Sequence, residues 1–234
     1  LNAPILAQIR DPEVYPELAY LSNIYNRIVT YREWAFGRNS VFRKPQRADL
    51  RTDRLEEDFS NLAMFLNRLA RSSGIEERIV TNLRNLYDGV NGFGFSIEGG
   101  TAQIFFKEGR HSIPASRLSD GSLRYLCLLA ILCDPEPPPL ICIEEPELGL
   151  HPDVLPNLTR LMIEASERTQ LIVTTHSDII VDVLTDYPEA VLVCEKREGS
   201  TVMRRLDSED MSKWLDKYRL GELWMSGQIG GNRW

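Results

Sequence analysis

Two short apolar runs, LICIE at 140–144 and LIVTT at 171–175, flank a stretch that carries one helical period. Runs of this length suit strands buried on both faces, and the intervening residues suffice for the crossover helix that parallel strands require. The surrounding pattern extends the alternation. It predicts a helix over Ser119–Cys133, a proline-rich loop, a strand over Leu140–Glu144, a helix over Val154–Arg168 and a strand over Gln170–Thr175. A helix over Ser177–Leu184 and a strand over Ala190–Glu195 follow. Such an order specifies an α/β fold whose parallel sheet is flanked by helices.

The first half has a different rhythm. Between Arg51 and Arg71 the apolar residues Leu55, Phe59, Leu62, Ala63, Leu66 and Leu69 recur at three- and four-residue steps, with Gly74 as a stop, and a second helix is expected over Ile75–Tyr87. FGFSIEGGTAQIFFKEG then alternates apolar and polar residues about Gly99-Gly100, as a two-residue hairpin demands. The expected organisation is a helical segment or arm over 1–92, a β-ribbon over 93–116, with His111 in a loop, and an α/β lobe over 117–234.

Composition narrows the function classes. A net charge of −7 and a pI near 5.1 exclude a uniformly basic nucleic-acid-binding surface. The run RNSVFRKPQRADLRTDR, with Arg38, Arg43, Lys44, Arg47, Arg51 and Arg54, leaves a local DNA contact open beside the alternative of a solvated loop and helix start. Cys127, Cys133, Cys142 and Cys194 lack CxxC spacing and sit in apolar runs, which suits small buried hydrophobes in a reducing cytoplasm. The longest apolar run, Tyr125–Cys133, falls short of the roughly 20 residues of a membrane span. The opening LNAPILAQIRDPE has no basic region and cleavage site of the secretory kind, so neither a membrane nor export is expected.

Ligands of open parallel sheets collect at the carboxyl ends of the strands. One strand here ends in Glu144 and Glu145, the next in His176. Adjacent residues of a strand point to opposite faces, so one carboxylate can face a hydrated Mg²⁺ while the other polarises a water. An acidic exposed turn is the alternative. In SRLSDGSLRYL, Ser119 can cap a helix whose first turn carries Gly121 and Ser122, leaving amides and hydroxyls aimed beyond the helix start; an ordinary serine cap is the alternative.

The order LSDGS, ICIEEPELGLHPD, TTHS resembles the C-terminal half of the ABC-type ATPase heads of the SMC, RecF and OLD group, most closely its stand-alone ATPases, over about Arg117–Asp186. The resemblance implies that ATP and Mg²⁺ are the cofactors, with Glu144 holding the metal, Glu145 activating the attacking water and His176 contacting the γ-phosphate. It implies that Ser119, Asp120, Gly121 and Ser122 form the signature motif, which meets nucleotide bound to a second head in a head-to-tail homodimer. Gly149 and His151 would lie near that interface, although His151 also reads as a surface cap before Pro152.

A phosphate cradle of the form GxxxxGK[ST] is absent: Lys44, Lys107, Lys196, Lys213 and Lys217 neither follow glycine nor precede serine or threonine. The expectation is therefore the C-terminal part of a longer ATPase, inactive alone. The alternative is a half-ATPase module that lends its signature helix to a partner bearing the cradle. No TOPRIM-like nuclease segment follows, and a DNA or protein client is left open.

Overall fold

The computed structural model describes residues 11–32 and 34–231. The chain runs α1 (Pro16–Tyr25), β1 (Val29–Tyr31), β2 (Gln46–Arg47), α2 (Leu62–Leu69), α3 (Ile75–Leu86), β3 (Val90–Glu98), β4 (Thr101–Glu108), β5 (His111–Pro114) and α4 (Asp120–Leu132). It continues through β6 (Leu140–Glu144), α5 (Leu155–Ser166), β7 (Gln170–Thr174), α6 (Asp178–Val183), β8 (Leu192–Arg197), β9 (Ser200–Arg205), α7 (Ser208–Leu215) and α8 (Leu220–Met225).

A three-stranded parallel sheet in the order β1-β6-β7 forms the centre. Strand β6 lies in the middle, with Ile141 opposite both Val29 and Leu171. Its inward residues Ile141 and Ile143 are about 1% exposed. Helix α4 packs as the central core helix because every residue from Leu123 to Leu132 is buried, Arg124 included. Glycines 99 and 100 both adopt positive φ, as a two-residue hairpin between twisted strands requires. The hairpin belongs to a four-stranded antiparallel sheet in which β4 also pairs with β2 and β5.

Several expectations are corrected. The helix expected over Arg51–Arg71 is confined to Leu62–Leu69. Upstream, the Asn61 side chain donates to the carbonyls of Arg51 and Arg54 and accepts from the amide of Glu56, holding that segment in turns, and Phe59 takes a positive φ. Periodic apolar residues still reach the core, since Leu55 and Phe59 are buried without a helix beneath them. His111 lies on β5 rather than in a loop. The strand expected after α6 does not extend the parallel sheet; β8 pairs antiparallel with β9 in a separate ribbon. The expected arm at 1–92 supplies β1 to the parallel sheet, and Val29, Tyr31 and Leu66 share one core with Leu128 and Ile141. Cys194 is exposed, whereas Cys127 and Cys133 are buried as expected. Among the described residues no helix is long and apolar enough to cross a membrane.

The basic run is partly paired from within. Arg43 donates to the carbonyls of Ala115 and Leu118 and pairs with Asp120, Arg47 pairs with Asp49, Arg51 with Asp53, and Arg54 donates to the carbonyl of Asn26. Three of the six cations of the run are thus ion-paired, which reduces the charge free to meet a phosphate backbone.

Leu128 is fully buried on α4, so Leu128→Ala should cost about 2–5 kcal/mol of unfolding free energy in denaturant titration. A loss below about 1 kcal/mol would contradict the core position given to α4.

Candidate functional site

Three chain segments converge at one end of the parallel sheet: the exit of β6, the exit of β7 and the start of α4. Glu144 is the last residue of β6 and opposes Thr174 of β7. Its carbonyl accepts a hydrogen bond from Trp34 Nε1 at 2.9 Å, which ties the β1 exit to the same point. Glu145 does not continue the strand. Its backbone takes the left-handed region at φ 43°, while its amide still donates to the Thr174 carbonyl at 2.9 Å. A backbone reversal, and not pleat alternation, therefore separates the two carboxylates.

The Glu145 side chain meets the expected histidine. Its Oε1 lies 3.5 Å from His176 Nε2, and the imidazole is largely exposed. A carboxylate beside an open imidazole, at the carboxyl ends of neighbouring parallel strands, is a surface on which an incoming water or phosphoryl oxygen can be held.

Beneath this pair lies a buried guanidinium that the sequence reading passed over. Arg124, on α4, is 5% exposed and donates to the Glu145 carbonyl at 2.7 Å. It stacks over Trp34 at 4.4 Å and lies 5.5 Å from the Phe36 ring centre. Burial pushes its pKa down to about 10, opposed by the charges of Glu147 and Glu145 among its neighbours. Glu147 is the second such residue. Its Oε1 accepts from Thr175 Oγ1 and from the amide of His176, each at 2.7 Å. The signal for Arg124 was a lone arginine inside the apolar run of α4; the signal for Glu147 was a third acid just past a strand end.

The start of α4 is locally self-satisfied. Ser119 Oγ accepts from the amide of Ser122 at 3.0 Å and shares a hydrogen bond with its hydroxyl at 2.8 Å. Asp120 turns back into the molecule, pairing with Arg43 and accepting from the amide of Gly37, and the Arg43 hydrogen bond holds its carboxyl below the usual carboxylate range. Gly121 sits so close to the loop after β6 that a Cβ there would lie 2.8 Å from the Gly149 carbonyl, and Gly149 itself has φ 72°. Gly121 and Gly149 are thus brought together. His151 caps a short 3-10 turn at Pro152–Val154 by accepting from the Asp153 amide, which is the surface-cap arrangement.

Among the described residues no group of three or more His, Cys, Asp or Glu side chains could hold a metal. Glu144 offers a single exposed carboxylate at the strand end. That donor set fits Mg²⁺ carried by a nucleotide, since Mg²⁺ takes one or two protein carboxylates and completes its shell with phosphate oxygens and water.

Comparison with known proteins agrees with this fold. Residues 13–182 match the family described as "AAA domain, putative AbiEii toxin, Type IV TA system". No curated protein matches the sequence. In fold, the chain is similar to an SMC head solved bound to the C-terminal winged-helix domain of ScpA, with 17% identity and a TM-score of 0.59 over 84% of this chain and 63% of that one. It is also similar to an SMC head with an extended coiled coil, bound to the C-terminal domain of ScpA and derived from Pyrococcus furiosus. There the identity is 18% and the TM-score 0.50, over 66% of this chain and 39% of that one. This chain thus spans under two thirds of either solved head.

Gly121→Ala should cost about 1–3 kcal/mol, because the added methyl meets a backbone carbonyl that cannot swing away. Denaturant titration checks it; an unchanged midpoint would show that the Gly149 loop is free to move. The Asp120 contribution is present above the ordinary carboxylate range and is lost as pH falls through its lowered folded value. The stability gap between wild type and Asp120→Asn should therefore close below about pH 4, and a gap constant with pH would contradict the Arg43 pairing.

Proposed function

The chain belongs to this AAA-domain family, and from that membership we propose that it forms the water-activating and signature-bearing part of an ATP-hydrolysing head that works as a head-to-tail homodimer. The observation that carries the reading is the Glu145–His176 pair, held 3.5 Å apart at the ends of two adjacent parallel strands. Glu145 orients a water and accepts its proton as the water attacks the terminal phosphoryl group. His176, exposed beside it, contacts the γ-phosphate oxygens. Glu144 would hold the Mg²⁺ of the bound nucleotide, whose chemistry is to neutralise charge on the phosphates.

The signature residues serve the second active site. Ser119, exposed, and Gly121 and Ser122, half-buried, stand at the start of α4 and, once the Ser119–Ser122 hydrogen bonds open, present a hydroxyl and amides to nucleotide bound by the other head. Asp120 has a supporting part, since its carboxylate is already committed to Arg43 and Gly37. Gly149 supports the same surface by packing its carbonyl against Gly121, with His151 two residues further on.

No GxxxxGK[ST] occurs among these 234 residues, and on this reading the phosphate cradle is supplied from outside them. Strand β7 is an edge of the parallel sheet and leaves Ile172 half exposed. A further parallel strand added there would deliver its own C-terminal loop beside His176. ScpA is bound by the SMC heads to which this chain is similar; a protein client is proposed here on that analogy, its identity open.

In the full-length protein, supplemented where necessary with the polypeptide that bears the cradle, Glu145→Gln should lower ATP turnover by about two orders of magnitude or more while ATP still binds. Ser119→Arg should abolish turnover that depends on dimerisation, with nucleotide binding retained. Normal phosphate release by Glu145→Gln would remove Glu145 as the base, and normal release by Ser119→Arg would end the sandwich arrangement.

A further inference from the structure

Glu147 occupies an unusual position for an acid. It sits in the loop after β6, yet its carboxylate is spent on the loop after β7. Oε1 collects the Thr175 hydroxyl and the His176 amide, and the same Thr175 oxygen accepts from the amide of Ser177 at 3.0 Å. Ser177 in turn caps α6. One carboxylate oxygen therefore fixes the backbone at His176 and, through Thr175, the start of the next helix.

The other carboxylate oxygen is the informative one. Glu147 Oε2 is shielded from solvent and has no hydrogen-bond partner, and the same is true of Arg124 Nε. These two groups of opposite charge are attracted through the space between them, while Arg124 spends its hydrogen bond on the Glu145 carbonyl. A shielded, incompletely satisfied charge adds little stability. Its value lies in geometry. Arg124 grips the backbone of Glu145 from below and Glu147 grips the backbone of His176 from the side. The two residues that are proposed to meet a water and a phosphoryl oxygen are thus each held at the backbone, one by Arg124 and the other by Glu147. Glu145 also needs such a restraint, because a non-glycine residue at φ 43° persists only where its surroundings over-determine it.

We propose that Glu147 is a positioning residue for hydrolysis: by binding Thr175 and the His176 amide it sets the spacing between His176 and Glu145, without itself touching nucleotide. The inference rests on the hydrolytic reading given above.

The test is steady-state ATP turnover by the full-length protein, under the conditions used for Glu145→Gln, with rates normalised to the folded fraction from circular dichroism. Glu147→Ala removes the clamp and should lower kcat by about thirtyfold or more with the KM for ATP within about threefold, since small displacements of reacting groups are costly in rate. Glu147→Gln keeps a carbonyl oxygen for both donors and should recover kcat to within about fivefold of wild type. Thr175→Val, nearly isosteric, removes one donor and should fall between the two. If Glu147→Ala does not fold, Thr175→Val decides, a lowered kcat supporting the clamp and an unchanged one overturning it. A folded Glu147→Ala protein with wild-type kcat, a change in KM alone, or a glutamine variant as impaired as alanine would each overturn the proposal. Full turnover by Glu145→Gln is a different failure: it would remove the hydrolytic reading itself, whatever Glu147 does.

Discussion

Strand β6 has a parallel partner on each edge, and the placement of every group at the site follows from that. With β1 on one side and β7 on the other, its backbone donors and acceptors are satisfied along both edges, so the strand cannot slip in register without breaking two ladders. A one-residue slip would also carry Ile141 and Ile143 out of the core. The position at which β6 ends is therefore fixed, and with it the point at which Glu144 leaves the sheet. The exit of β7 is fixed by the same ladder, because Glu144 opposes Thr174 and the Glu145 amide still donates to the Thr174 carbonyl.

The helix α4 is joined to this frame at two levels. Deep in the core, Arg124 spans from the helix to the Glu145 carbonyl beneath Trp34. At the helix start, the contact is one of close approach: the absence of a Cβ on Gly121 lets the Gly149 carbonyl come near. Arg43 adds a third restraint from a distant part of the chain by gathering the carbonyls of Ala115 and Leu118 together with the Asp120 carboxylate. The surface proposed to face a second head is thus joined to the proposed water-activating carboxylate through packed groups of α4.

Much of this was legible in the chain itself. The runs LICIE and LIVTT became β6 and β7 with boundaries within a residue of the expectation, because short apolar runs between turn signals read as strands, although only the central β6 buries residues and β7 lies at an edge of the sheet. The Ser119 cap was legible because capping is a local interaction between residues three apart. Strand β1 was not: three residues, Val29–Tyr31, carry too little periodicity to stand out, and they form a strand only because β6 offers a free edge. The helix expected over Arg51–Arg71 failed for a related reason, since the side chain of Asn61 competes for backbone groups that a helix would use.

The sequence by itself determined the alternation of strands and helices, the apolar core helix and the order of LSDGS, EEPE and TTHS along the chain, for these depend on period and on neighbours in the chain. Only the tertiary structure decided that Glu145 turns away from the strand, that Asp120 pairs with Arg43, and that Arg124 and Glu147 stand at the site. Each of those outcomes is a contact between residues far apart in the chain or a backbone reversal stabilised by one. The free energy that selects it appears only when the sheet has brought the partners together.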